Sequence, residues 1–513
     1  MRGSIAAGVC AVALFAAGSA GAAGAHGRPA APLPGTGLSV GVNDDAGKYG
    51  DGAPQFWQTM AAEGLKQDAM TVLWDETRPT TILDQSFIEH ALPAAATAGI
   101  KVVFDVYPMH SRALTSDPAA VGEFASFVGR LAETFPQVTE YVVMNECNQP
   151  RFVNPQFASS DPDAPNVSAA ICGRALAAAY DALKAVDPDI FVWGLGLSPR
   201  GNDRPNASSN VSTSPIRFLA DLGAWYRSSG RTAPLMDGLD VHPYPIPQSL
   251  PFDRGYADPN AYSVSNLDRV YQAFYDAFAN TPQRTIGQQA GGGLPVSLNE
   301  VGIQTLTDTI AHPGYAGAEI STPATGVLAQ TATEQYQADW YVKMLNLVAC
   351  DPNVRAVDIF HLVDESDLAG WQSGLFYVGY APKAAAGALE QWIAQTGGQC
   401  SGVPQGWTPT PVTAGAWTPP VPAQAKAARL RQAIALAKKK LARVKTVAAA
   451  ATLGNHVSTL QKQLARLNAQ IRVAHASGQP SSGSTGNPKP APAPKAKGAA
   501  KGSGSSKARG KKG

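Results

Sequence analysis

Two short segments hold the residues best suited to chemistry: Tyr141-Val142-Val143-Met144-Asn145-Glu146 and Leu294-Pro295-Val296-Ser297-Leu298-Asn299-Glu300. Each is an apolar, β-rich run that ends on Asn-Glu, with a loop signal directly after it. A buried strand has little reason to finish on a carboxylate unless that carboxylate points into a site, because an unpaired buried charge is costly. Two such endings suggest glutamates facing each other across a cleft. Cleavage of a glycosidic bond by double displacement needs one carboxylic acid and one carboxylate, about 5–5.5 Å apart. In that scheme Glu146 must hold a proton near neutrality, while Glu300 must stay ionised as the nucleophile. The alternative is two unrelated glutamates in separate salt bridges, and the Asn-Glu context they share argues against it.

These residues need elements to position them. β-rich runs at 38–42, 70–74, 101–107, 138–144, 190–195, 238–242, 296–298 and 356–361 alternate with helical patterns at 55–62, 86–98, 119–134, 168–186, 216–229, 266–280, 333–349 and 383–396. Such βα alternation over residues 36–400 predicts an α/β fold, a (β/α)₈ TIM barrel with generous loops. A doubly wound open sheet is the competing topology, but no Gly-x-Gly-x-x-Gly turn follows any of the strands. The barrel demands functional side chains at C-terminal strand ends. Asn43 and Asp44, Asp75 and Glu76, Tyr107 and His110, Asn145 and Glu146, His242 and Tyr244, Glu300, and His361 with Asp364 meet that demand.

Segments 141–146, 238–244 and 294–300, with Trp371, resemble the catalytic set of the large retaining glycoside hydrolase clan built on (β/α)₈ barrels. That clan includes the family 5 cellulases and mannanases and the family 39 xylosidase-like enzymes. The resemblance implies that Glu146, after Asn145 at the end of strand four, is the acid/base and that Glu300, ending strand seven, is the nucleophile. It implies that Asn145 binds the sugar 2-hydroxyl and that Tyr244, in His242-Pro243-Tyr244, orients the nucleophile. Trp371, in Gly370-Trp371-Gln372-Ser373-Gly374, corresponds to the platform that stacks on a sugar face. The clan's Arg at the end of strand two has no match in Trp74-Asp75-Glu76-Thr77-Arg78, and Arg78 is expected to substitute from further along the loop. His110 is a further candidate for a sugar hydroxyl. Trp74 fits core packing better than substrate stacking; Tyr107, Asp44 and Trp193 carry similarly weak signals. Asp364 and Glu365 read as a solvated acidic loop, and loops 244–265 and 303–330 are expected to set specificity.

Composition divides the chain. Residues 401–513 contain 19 Lys or Arg and no Asp or Glu. The first 400 residues therefore carry 22 of the 41 basic residues against all 39 acidic ones, near −17, with the remainder near +19. An acidic barrel favours a neutral β-linked glycan or oligosaccharide as substrate. Residues 1–25 have the charged start, short apolar run and small-residue end of a signal peptide, which implies a secreted or envelope-associated protein. Beyond Cys10, four cysteines allow three pairings in an oxidising compartment, and Cys147–Cys172 with Cys350–Cys400 is favoured because each staples one neighbourhood. The eight scattered histidines give no metal signature, and no cofactor or metal is expected.

A Pro-rich linker with a Trp-Thr-Pro repeat spans 401–422. Helical apolar spacing over 423–475, broken at Gly454-Asn455, predicts a basic helical hairpin or coiled coil. The Lys-, Gly-, Ser- and Pro-rich 476–513 is expected to be disordered. The basic region suits an anionic cell-envelope polymer as partner. Nucleic acid is not expected for an exported chain. Two other functions compete with hydrolysis: carbohydrate binding without cleavage, and an envelope structural protein assembled through the C-terminal helices.

Overall fold

The computed structural model describes residues 37–402, apart from 50–52, 249, 251, 288–292 and 319–331, and parts of 431–442 and 453–465. The chain separates into two compact units, Met1–Pro419 and Pro420–Gly513. In the first unit, β1 (Ser39–Asn43), β2 (Gln67–Trp74), β3 (Lys101–Pro108), β4 (Glu140–Val143), β5 (Phe191–Leu197), β6 (Gly238–Val241), β7 (Val296–Val301) and β8 (Val354–Ile359) form a closed, all-parallel barrel in sequence order. The final pairing, β1 with β8, sets Ser39 opposite Ala356 and Val42 opposite Ile359. Helices run between the strands at Ala53–Ala62, Gln85–Ala98, Ala120–Thr134, Ser168–Val186, Pro215–Ser229, Asp268–Phe278, Glu334–Val348 and Ala384–Thr396. The (β/α)₈ expectation is met, with element ends shifted by a few residues. A short helical turn at Ala113–Ser116 was not legible from periodicity.

Apolar strands buried on both faces explain the continuous β-rich runs. Their outer faces pack under the helices. Trp74 is fully buried and meets Phe124 edge-on at 5.6 Å, so it is a packing residue, contributing about 1.5–3 kcal/mol by burial. Phe104 likewise makes edge contacts with Phe135 and Tyr141, each at 5.7 Å.

Polar residues also fill part of the barrel's interior. Gln67 Nε2 donates to both Asp358 oxygens, at 3.0 and 2.9 Å, across Gly41 of β1. A Cβ on Gly41 would lie 2.3 Å from the Gln67 carbonyl oxygen. Asp68, Asp105, Asp240 and Asp358 are all buried, and burial raises every one of these carboxyls from its ordinary range.

Both favoured disulfides are present, Cys147–Cys172 and Cys350–Cys400, with Cα separations of 6.2 and 4.6 Å. In the second unit the described residues are helical, and Ile434 and Ala437 cluster with Val457, Leu460 and Leu464. The expected signal segment at 1–25, the linker at 403–422, the remainder of 423–475 and the tail at 476–513 lie outside the described residues.

Candidate active site

β4 ends at Val143, and the next three residues turn sharply into the barrel mouth. Met144 (φ 71°) and Glu146 (φ 37°) both occupy left-handed backbone, which non-glycine residues adopt at a cost. Neighbouring strand ends hold that turn: the Met144 amide donates to the Val106 carbonyl and the Glu146 amide to the Gly196 carbonyl, each at 2.9 Å. The second glutamate arrives differently. β7 runs to Val301 rather than ending near 298, so Asn299 and Glu300 lie within the strand. The β7–β8 register shifts between Leu298 and Val301, a local irregularity at the point where Glu300 sits.

The two glutamates converge on His242, just beyond β6. Its Nδ1 lies 3.3 Å from Glu146 Oε1 and 3.5 Å from Glu300 Oε2. Carboxylate oxygens of Glu146 and Glu300 and a ring nitrogen of His242 all fall within 4.8 Å of one another. The other imidazole nitrogen, Nε2, faces Asp240 Oδ2 at 3.3 Å. Tyr244 donates its hydroxyl to Glu300 Oε2 at 3.1 Å. The Glu146 and Glu300 side chains keep 16% and 13% exposure, while His242 and Asp240 keep none, so the glutamates alone of the four are open to a ligand.

Electrostatics follow from this packing. Burial of Glu300 pushes its carboxyl above the ordinary range; the His242 charge opposes that, Glu146 adds to it, and the Tyr244 hydrogen bond opposes it. Burial resists charging of His242, but Glu300, Asp240 and Glu146 outweigh it and hold the imidazole well above its usual pKa. The nucleophile expected to stay ionised is therefore largely buried, and it relies on His242 and Tyr244 for its charge.

An open cleft of about 1630 Å³ surrounds the pair. Asn145, Glu146, Glu300, Tyr244 and Trp371 all line it. The Trp371 ring is tilted against Tyr244 at 5.1 Å and edge-on to Phe360 at 5.5 Å. His242 lies beneath the glutamates.

Other expectations need correction. His110 does not line the cleft: its side chain is 56% exposed and drawn 2.9 Å from Glu76. Arg78 does not replace the missing arginine, because its guanidinium is folded back onto Asp75 at 2.9 Å, within its own turn. Asp364 is not solvated but buried, with its carboxylate 2.6 Å from Lys383 Nζ. Among the described residues, loops 244–265 and 303–330 contribute only Tyr244 and Ile246 to the lining; most of the wall comes from 149–152, 198–212 and 360–371.

One residue, Asp240, was missed, and two named strand-end asparagines gain a defined place. Asn43 ends β1, is 4% exposed and lines the cleft, and among the described residues its Nδ2 has no hydrogen-bond partner. Asn145 Oδ1 is buried and unpartnered in the same way. The residues that carry these buried atoms line the cleft, and their amide groups offer both donors and acceptors. Asp240 had a readable signal: it lies two residues before His242, on the same side of a strand, inside an otherwise apolar run.

No protein-family model matches the chain, and no curated protein matches it in sequence. Solved structures with similarity include a family 39 glycoside hydrolase from the gut symbiont Bacteroides cellulosilyticus WH2 (16% identity, TM-score 0.46, 70% of this chain and 63% of that one). Another is the exo-β-1,4-mannosidase Op5Man5 from Opitutaceae bacterium strain TAV5 (15% identity, TM-score 0.42, 70% and 59%). A third is xylanase 10B from Thermotoga maritima (13% identity, TM-score 0.40, 70% and 96%). The chain spans less than two thirds of the length of the first two. The closed eight-stranded parallel barrel is itself the architecture that resemblance to the retaining glycoside hydrolase clan implies.

Proposed function

We propose that the chain is a retaining β-glycoside hydrolase acting on O-glycosidic bonds of a β-linked glycan or oligosaccharide. One observation carries this reading: Glu146 and Glu300, from opposite sides of the barrel mouth, have carboxylate oxygens within 4.8 Å of each other in an open cleft. That spacing leaves no room for a water between carboxylate and sugar, as inversion would need, and suits direct attack. In the first step Glu146 gives its proton to the glycosidic oxygen while Glu300 attacks the anomeric carbon, and the leaving sugar departs. In the second, Glu146 takes a proton from water, which attacks the glycosyl ester and frees Glu300. Tyr244 and His242 support the Glu300 charge, Asn145 and Asn43 face the sugar hydroxyls, and Trp371 offers a face for stacking.

Turnover of aryl β-glycosides by the full chain, with Glu300→Ala and Glu146→Ala variants, tests the assignment. Loss of turnover in Glu300→Ala, with an activated fluorosugar labelling Glu300 in the wild type, is the expected result. Binding without turnover on every substrate would favour a non-catalytic carbohydrate-binding protein. Glu146, His242 and Glu300 also offer the donors of a divalent-cation site. A chelator that abolishes turnover, reversed by added metal, would support that second reading.

We propose further that export follows from residues 1–25 and that the +19 region after residue 400 holds the protein on an anionic envelope polymer. The support is the sequence itself: a signal-like start and a basic region with no acids.

A further inference from the structure

The cleft is lined by charge of opposite sign on its two sides. The loops after β1 and β8 contribute Asp44, Asp45, Asp364, Glu365 and Asp367 and no Lys or Arg. The loops after β4 and β5 contribute Arg151 and Arg200, and no carboxylate other than Glu146. The acidic side is largely satisfied within the protein. Asp44 accepts from the Ala46, Leu362 and Val363 amides. Asp45 lies 3.2 Å from Lys48, Asp364 is paired with Lys383, Glu365 faces His361 at 3.3 Å, and Asp367 accepts from the Ala369 amide.

The basic side lacks such partners within the described residues, with Arg151 exposed and Arg200 half-buried. Among the described residues neither the Arg151 nor the Arg200 guanidinium has a carboxylate partner or a hydrogen bond; Arg151 rests only over the Phe152 ring, at 5.7 Å. The wall that carries them is fixed. Asn148 donates to the Ser198 and Thr213 carbonyls and accepts from the Ser198 amide, while Gln149 Nε2 donates to the Arg200 carbonyl at 2.6 Å. Two guanidiniums without a partner among the described residues, on one braced wall and in a unit near −17, are available to an anion supplied from outside. Net charge governs long-range approach, whereas the local pair governs what settles in the cleft.

Chemistry orients the substrate. The glycosidic oxygen must touch Glu146 and the anomeric carbon must touch Glu300, so the leaving sugar lies beyond Glu146, against the β4 and β5 loops. We propose that this leaving-group side is built for an anionic sugar, one bearing a carboxylate or a sulfate. The inference rests on the glycosidase reading above and specifies its substrate class.

Calorimetric binding to full-length Glu300→Gln, which cannot turn substrate over, is the test. The probes are xylo-oligosaccharides with and without a glucuronic acid branch, and cello-oligosaccharides with and without sulfate; the two pairs distinguish carboxylate from sulfate. At low salt an anionic probe should bind at least about tenfold more tightly than its neutral partner, as charge-assisted hydrogen bonds allow. Adding Arg151→Ala and Arg200→Ala should bring the two within about twofold, and raising salt should narrow the gap. Wild-type cleavage should leave the charged residue on the reducing-end product. Equal affinities, no binding of either anionic probe, a preference that survives both arginine substitutions, or charge retained on the non-reducing product would each overturn the proposal. An arginine-dependent preference with no hydrolysis of any glycoside would instead sink the glycosidase reading and leave an anion-selective binding cleft.

Discussion

Glu300 is a largely buried carboxylate whose charge depends on its neighbours. Tyr244 is one of them, and its hydrogen bond lowers a carboxyl that burial raises. Tyr244→Phe should therefore cut kcat by roughly 10–100-fold, the worth of one hydrogen bond to a charged group. It should also move the acidic limb of the kcat/KM profile to higher pH, since Glu300 would ionise later. An unchanged acidic limb would show that the hydroxyl does not act on Glu300. Asp68 makes the complementary case for stability. Both of its oxygens are buried, and its carboxyl is raised first by burial and then by Asp44, Asp45 and Asp358, with only the Asp44 backbone amide opposing. A raised folded-state pKa means that folding retains a proton the unfolded chain releases, so the associated stability is present below the unfolded value and is lost as pH rises toward the folded one. Wild-type melting temperature should fall from mildly acidic to alkaline pH. His242 acts in the same direction, its contribution fading as pH rises from its ordinary value toward its raised one. Asp68→Asn should flatten the decline by about 1.4 kcal/mol per pH unit over the range where Asp68 stays protonated. Parallel melting curves for the two proteins would refute this.

Strand ends carry the site, and two glycines show how differently strands respond to one methyl group. Gly196 of β5 has φ 45°, and a Cβ there would lie 2.7 Å from Asn145 Oδ1 and 3.0 Å from His242 Nε2. Gly196→Ala should push on the catalytic turn after β4, cutting turnover at least tenfold while far-UV circular dichroism stays native; the strain itself costs about 1–2 kcal/mol. Gly41 of β1 is confined by the Gln67 carbonyl at 2.3 Å and Asp358 Oδ1 at 2.4 Å. Gly41→Ala should mainly destabilise, by about 1–3 kcal/mol of overpacking, seen as a lower denaturation midpoint. Activity lost equally in both variants, in step with stability, would deny β5 its positioning role. At this scale the strand pattern was legible because buried parallel strands read as apolar runs. The end of β7 was not, because an irregular register keeps Asn299 and Glu300 inside the strand, and periodicity carries no trace of it.

Two units of opposite charge make up the molecule, and each should function without depending on the other's fold. Removing residues 420–513 should leave melting temperature and turnover of small glycosides unchanged, and should abolish salt-sensitive retention on an anionic polymer resin. Retention that survives the truncation would remove the basic region from the proposal. The sequence by itself determined the barrel, favoured the disulfide pairing that is present and singled out the glutamate pair, since apolar alternation, cysteine spacing and a charge at the end of an apolar run are local signals. Only the tertiary structure decided that His242 bridges the two glutamates, that Asp240 backs it, and that Asn43 reaches the same cleft. It also withdrew His110 and Arg78, which are captured by Glu76 and Asp75. The reason is physical: strand order brings residues far apart in the chain to one rim, whereas the choice of partner for an exposed charge depends on distances of a few ångströms that no spacing along the chain encodes.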